Sequence, residues 1–258
     1  MQLVVDIGNS NIVYAVWNDI SWTNQVRIES KEPQPLIFYE KSLLNMLLEW
    51  GLSHNVITDC AISSVVPDLN ERIEKSIKNV LGFKPFRIVP EVLINLDMVV
   101  PHPYIIGSDL VCNAYASSKL YAKNSLIVDF GTALTFTLVL ENDGITGVTI
   151  MPGLKTAMAA LASQTAQLPE VPIVLPPSAI GHDTVSAIQS GVLWGYVGAV
   201  KEIIHKIKKE MDVNITIVAT GGLSEILKPL ENEFNYINKD LTLEGIRYIY
   251  QFYRSKKI

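Results

Sequence analysis

Cysteine is scarce in this chain: there are two in 258 residues, Cys60 and Cys112, far apart and each flanked by apolar neighbours. With no CxxC pair and no histidine at ligand spacing, they exclude a disulfide framework and read as buried, reduced thiols. The four histidines, His54, His102, His182 and His205, form no recognisable metal set. Basic charge is not in excess either, since the net charge is -5. A surface for the phosphate backbone of nucleic acid needs clustered Lys and Arg, so nucleic acid is not an expected partner. The one basic stretch, "KEIIHKIKKE" from Lys201 to Glu210, interleaves its charges with apolar residues at helical spacing and reads as a solvated helix face. No apolar run approaches the ~18 residues of a membrane span. Asp6 interrupts the first apolar run and no basic segment precedes it, which is unlike a signal peptide. A cytoplasmic protein without a membrane partner is expected.

What is present is the balance of a compact soluble protein, with 48% hydrophobic and 18% charged residues. Gln2 to Asp6 and Asn11 to Trp17 read as two Val- and Ile-rich strands joined by a polar turn. Apolar residues at helical spacing follow from Lys41 to Leu52, then a strand, a turn at Pro67, a helix stopped by Gly82, and the short strand "FRIVP". The order β, β, α, β, α, β calls for a largely parallel sheet with helical cover. It restarts at "SLIVDFG" and "ALTFTLVLE", and "LVVDIGNSNIVYAVW" (Leu3 to Trp17) aligns with "LIVDFGTALTFTLVL" (Leu126 to Leu140) in hydrophobic pattern, aspartate on aspartate. An internal duplication accounts for this, with a helix over Ser108 to Ala122 linking the halves. Two related domains, 1–113 and 114–258, facing each other across a cleft, are expected.

The repeated feature is a carboxylate at the end of an apolar strand. Buried without a partner it would cost several kcal/mol, so it needs a cation, hydrogen bonds or the edge of a cleft. Gly8 and Gly131 follow two residues after Asp6 and Asp129 and leave the backbone amides open to a ligand; Asn9, Ser10, Asn11 and Thr132 supply small donors. Such turns can hold phosphate oxygens while the carboxylate takes the accompanying metal or its waters. A third glycine site, Gly221 and Gly222 in "ITIVATGGLSEIL", is read as a strand delivering glycines to a helix start, a geometry suited to adenine or ribose. "SGVLWGYVGAVKEII" (Ser190 to Ile204) is read as a long apolar helix with small residues, suited to the domain core or to a twofold partner.

The set "DIGNSN", "DFGTALT" and "ATGG", in this order and on duplicated hairpins, resembles the superfamily of acetate and sugar kinases, heat-shock chaperones and actin. Adding "SSVVP", "IGSDL", "TIMPGL", "DTVSAIQSGVLWGYVG" and "LTLEGIRYIY", the chain is similar to the type III pantothenate kinases along practically its whole length. The resemblance implies two ribonuclease-H-like domains, a homodimer, and transfer of the γ-phosphate of ATP to pantothenate with Mg²⁺ and a monovalent cation, K⁺ or NH₄⁺. It places Asp6, Ile7, Gly8, Asn9, Ser10, Asn11, Ile12 and Val13 at the ATP phosphates, with Asp6 near Mg²⁺ through water. Thr132 joins them, Asp129 goes to the monovalent cation, and Gly107, Ser108, Asp109, Leu110 and Thr184 go to pantothenate, with Asp109 accepting the proton.

Three departures fall on or near the acceptor side. Leu110 stands where the family has arginine, Val100 where it usually has tyrosine, and Val148 where it tends to have glycine. Losing a guanidinium removes a bidentate donor and a fixed charge. The departures leave open a pantothenate kinase, a nucleotide-binding protein that transfers poorly or regulates, and a kinase for another small hydroxy acid.

Overall fold

A computed structural model describes residues 1–256. It divides into two compact units, Met1–Ala116 together with the segment from Thr242 onward, and Ser117–Leu241. In chain order the strands are β1 (Gln2–Ile7), β2 (Asn11–Trp17), β3 (Trp22–Glu29), β4 (Asp59–Ser64), β5 (Phe86–Arg87), β6 (Ser125–Phe130), β7 (Ala133–Leu140), β8 (Gly144–Pro152), β9 (Thr216–Thr220) and β10 (Tyr236–Ile237). The helices are α1 (Leu36–Glu49), α2 (Pro67–Leu81), α3 (Pro90–Leu93), α4 (Ser108–Leu120), α5 (Leu154–Gln164), α6 (Thr184–Gln189), α7 (Gly195–Glu210) and α8 (Leu241–Ser255).

The first unit is a mixed sheet of order β3-β2-β1-β4-β5, antiparallel at β1–β2 and β2–β3 and parallel at β1–β4 and β4–β5. Central β1 is apolar on both faces because both are covered, whereas edge strand β3 alternates between half-buried and exposed. That polar alternation is why β3 is missing from the strand order expected above. Helix α2 follows from its sequence. Pro67 sits in the first turn, Leu69, Ile73, Ile77 and Leu81 recur on one buried face, and Gly82 closes the helix at φ 82°, where glycine carries no Cβ penalty. Those side chains join Leu3, Val5, Ile7, Ile12, Tyr14 and Val16 in one core cluster.

The second unit repeats the plan as β8-β7-β6-β9-β10, strand for strand, with β6 antiparallel to β7 and parallel to β9. Its core aligns Leu134, Phe136 and Leu138 with Val128 and Phe130. These answer to Ile12, Tyr14 and Val16, so the gapless match of the two hairpins needs correction. Asp6 pairs with Val13 and Asp129 with Thr135, which makes the second turn one residue shorter. Strand parity enforces this, since a one-residue slip would turn the apolar set out of the core.

Two further expectations change. No helix begins at Gly221 and Gly222; a series of turns runs from there to a 3₁₀ segment at Lys228–Glu233, and both the amide and the hydroxyl of Ser224 bond back to the Gly221 carbonyl. The apolar helix from Ser190 has a π segment at Ser190–Trp194 before α7. In addition, α8 packs with the first unit, not with the second half in which the 113/114 division places it. Glu244 accepts from Trp22 Nε1 at 2.8 Å, and Asp59 takes the hydroxyl of Tyr250 at 2.5 Å and the guanidinium of Arg254 at 3.0 Å. Burial works against the Asp59 charge, yet these bonds outweigh it and hold the carboxyl below its ordinary range. Gly245 lies so close to the Cys112 backbone of α4 that any side chain there would overlap it.

Candidate active site

In the first unit, Asp6 is the next-to-last residue of β1, with Ser63 of β4 as its sheet partner on one side and Val13 of β2 on the other. Partners across a sheet present their side chains to the same face, so Asp6 and Ser63 share one. The turn that follows is closed by Gly8 N–H donating to Asn11 O at 3.0 Å, and Ser30 Oγ donates to Gly8 O at 2.6 Å. Asn9 and Asn11 are exposed, Gly8 and Ser10 half-buried, and Ile7, Ile12 and Val13 buried, so the last three shape the turn from within.

Gly107, Ser108, Asp109 and Leu110 form the start of α4 in the same unit. Asp109 is half-buried, and its Oδ1 accepts from Leu110 N at 2.8 Å. A side chain on Gly107 would run into that carboxylate, so glycine here is a condition of the Asp109 rotamer. Burial pushes the Asp109 carboxyl above its ordinary range, and the backbone amides of Leu110 and Asp109 itself pull part of the way back. The Ser108 hydroxyl faces inward, 2.8 Å from Ser63 Oγ and 3.1 Å from Ser64 O. Fully buried Cys112, one turn further on, feels the charges of both Asp6 and Asp109 and hydrogen-bonds Ser63; burial first, then those charges, drive its thiol well above the ordinary value. Sequence reasoning treated Cys112 as an ordinary core thiol. The signal it could have used is spacing, because Ser108 and Cys112 lie four apart on one helix face.

In the second unit, Asp129 is the next-to-last residue of β6, between Thr135 of β7 and Thr220 of β9. Both threonine hydroxyls are buried without a protein hydrogen-bond partner. Gly221 follows at φ 90°, and a Cβ there would sit 2.6 Å from Asp129 Oδ1, so this glycine is fixed by its packing on the aspartate. Exposed Thr132 anchors the start of α5: its carbonyl accepts from Gly153 N–H at 3.0 Å and from Thr156 Oγ1 at 2.8 Å. Gly222 is exposed, as is Thr184 in the first turn of α6, which Asp183 caps by accepting from Ser186 N at 2.9 Å. The structure therefore brings Asp6 together with the Gly107–Leu110 turn, and Asp129 with Gly221, each pair inside one unit.

Among the described residues, no three His, Cys, Asp or Glu side chains gather to hold a metal by themselves. Mg²⁺ suits the Asp6 turn even so, because it is ordinarily held by one or two carboxylates with phosphate oxygens and waters completing the shell. The Asp129 position fits a monovalent cation in donor chemistry, one carboxylate flanked by two orphaned hydroxyl oxygens. Two apolar hollows of about 330 Å³ lie elsewhere in the second unit; one is lined by Met151, Gly191, Gly195, Tyr196 and Ala199, the other by Phe136, Val148, Ile207 and Met211. No helix among the described residues is long and apolar enough to cross a membrane.

Two ribonuclease-H-like units of matching strand order, each opening on an acidic hairpin turn, define a protein of the actin-like ATPase fold. The fold is shared with a Baf family protein from Campylobacter jejuni (TM-score 0.58, 20% identity, 98% of this chain and 99% of that one). It is shared too with the activator of 2-hydroxyisocaproyl-CoA dehydratase from Clostridium difficile with bound ADPNP (TM-score 0.53, 12% identity, 99% and 96%). Residues 2–206 match the family model described as type III pantothenate kinase. A type III pantothenate kinase from Geotalea daltonii is 35% identical over 251 residues, covering 97% of this chain and 98% of the relative. The chain belongs to the type III pantothenate kinase family.

Proposed function

We propose that the protein transfers the γ-phosphate of ATP to the hydroxyl of pantothenate, the step that opens coenzyme A synthesis, and that it does so in the cytoplasm as a homodimer. The observation that carries this reading is the placing of Asp109 in the same unit as Asp6, in a chain similar along its length to pantothenate kinases. Phosphoryl transfer passes through a loose transition state, so the protein chiefly positions groups and offsets charge. The resemblance assigns the Asp6–Val13 turn, Thr132, Gly221 and Gly222 to ATP, and Gly107, Ser108, Asp109, Leu110 and Thr184 to the acceptor. Asp109 accepts the hydroxyl proton late in transfer, and burial, by raising its carboxyl above the ordinary range, strengthens it as a base.

Mg²⁺ beside Asp6, when bound, neutralises charge developing on the phosphates. Asp129, with the Thr135 and Thr220 hydroxyls beside it, would hold K⁺ or NH₄⁺, which would offset further negative charge. The apolar hollow beside Gly191, Gly195 and Ala199 supports the homodimer, because a twofold partner would cover it. Half-buried Leu110 and Val100 favour a second reading, in which a more apolar acceptor side prefers another small hydroxy acid. Pantothenate-dependent ADP release with Mg²⁺ and K⁺ or NH₄⁺ is the expected result. Absence of that release under those conditions contradicts the reading, and release with a different hydroxy acid selects the second.

A further inference from the structure

Ser63 and Ser108 join the two carboxylates of the first unit through its interior. Ser63 is the sheet neighbour of Asp6, Ser108 precedes Asp109, and the two hydroxyl oxygens are 2.8 Å apart in a buried setting. Counting protons orders the chain. The backbone carbonyl of Ser64 can only accept, so Ser108 spends its one proton there, at 3.1 Å. Ser63 must then donate to Ser108, with the buried, neutral Cys112 thiol beside Ser63. Each hydroxyl proton is used once, and the two bonds tie β4 to the first turn of α4. Gly245 of α8 packs closely on the Cys112 backbone, so α4 is held there as well.

We propose that the Ser63–Ser108 pair is a positioning device for Asp109, locking the first turn of α4 to the strand end beside Asp6 so that the proton acceptor keeps a fixed place relative to the phosphate-side carboxylate. It rests on the phosphoryl-transfer reading of Asp109. This chain thus carries a hydroxyl anchor at the turn where Leu110 stands in place of the family's arginine. A lost hydroxyl anchor is worth roughly 5-fold, and misplacing a reacting group more, so Ser108→Ala lowers kcat about 5- to 20-fold. The KM for ATP stays within about 2-fold, since uniform ATP binding is untouched. Ser108→Thr recovers most of the rate.

Ser63→Ala behaves like Ser108→Ala, and the double variant is no worse than the weaker single variant, as members of one device should be. A readout free of turnover accompanies the kinetics: the titration of the Asp109 carboxyl carbon by NMR. Water admitted by the loosened turn relieves the burial penalty, so Ser108→Ala moves that midpoint down by at least about half a unit. An active wild type with Ser108→Ala unchanged in kcat and in the Asp109 midpoint overturns the proposal. If the wild type shows no pantothenate-dependent ADP release, the functional reading fails instead, and the Asp109 midpoint alone decides whether the pair positions that carboxylate.

Discussion

The two acidic turns occupy the same place in sheets of the same strand order, yet they are set in opposite surroundings. Asp6 has a polar floor whose members are matched to one another: Ser63, Ser108 and Cys112. Asp129 has Thr135 and Thr220 at its sides with neither hydroxyl partnered, and a glycine at φ 90° pressed against it. One turn is four residues between paired strand ends, the other three. A duplicated frame has thus kept its backbone and diverged in what stands beside each carboxylate. The first is built to hold a charge still, the second to receive something that supplies the missing partners.

Removing the carboxylates gives the largest contrast. Asp6→Asn and Asp109→Asn each lower kcat/KM with pantothenate by about 10²- to 10⁴-fold, measured by coupled ADP release. Their stabilities then diverge. Because the folded pKa of Asp109 lies above its unfolded value, the ionised form is penalised in the fold; the penalty is full above the folded pKa and disappears as pH falls below the unfolded value, ~3.9. Asp109→Asn therefore melts at or above the wild-type temperature, and the wild-type rate falls off on the acid side at a pH higher than an ordinary carboxylate would give. Asp129→Asn loses less, about 10- to 100-fold, and what remains no longer responds to K⁺.

The glycines give the smallest contrast, visible in stability. Gly221→Ala forces an L side chain to φ 90° against Asp129 and costs ~1–3 kcal/mol in denaturant unfolding. Gly8→Ala meets only Asn11 O at 3.3 Å and costs at most ~1 kcal/mol. Equal losses at the two positions would remove the asymmetry drawn between the turns.

Much of this frame was legible in the residues. A carboxylate ending an apolar strand, followed two residues later by glycine, says where a strand stops and what its end must meet, and it says so twice. Pro67 and Gly82 mark helix ends for reasons local to the chain. What could not be read depends on partners distant in sequence. Strand β3 is polar on alternate positions because it is an edge, and nothing local distinguishes that from a loop. The run after Gly222 lacks a helix because Ser224 turns back onto Gly221. Helix α8 joins the first unit through Gly245 against Cys112, a contact across well over a hundred residues that no periodicity encodes. Cys112 itself looked like core until Ser63 and the two aspartates were placed around it.

Cross-titration of the two cations on the two aspartate variants tests the central claim most directly. Initial rates of ADP release are measured against Mg²⁺ at fixed K⁺, and against K⁺ at fixed Mg²⁺. Asp6→Asn should shift only the Mg²⁺ activation curve and Asp129→Asn only the K⁺ curve. If either variant moves both curves alike, or each moves the other's cation, the division of labour between the turns is wrong.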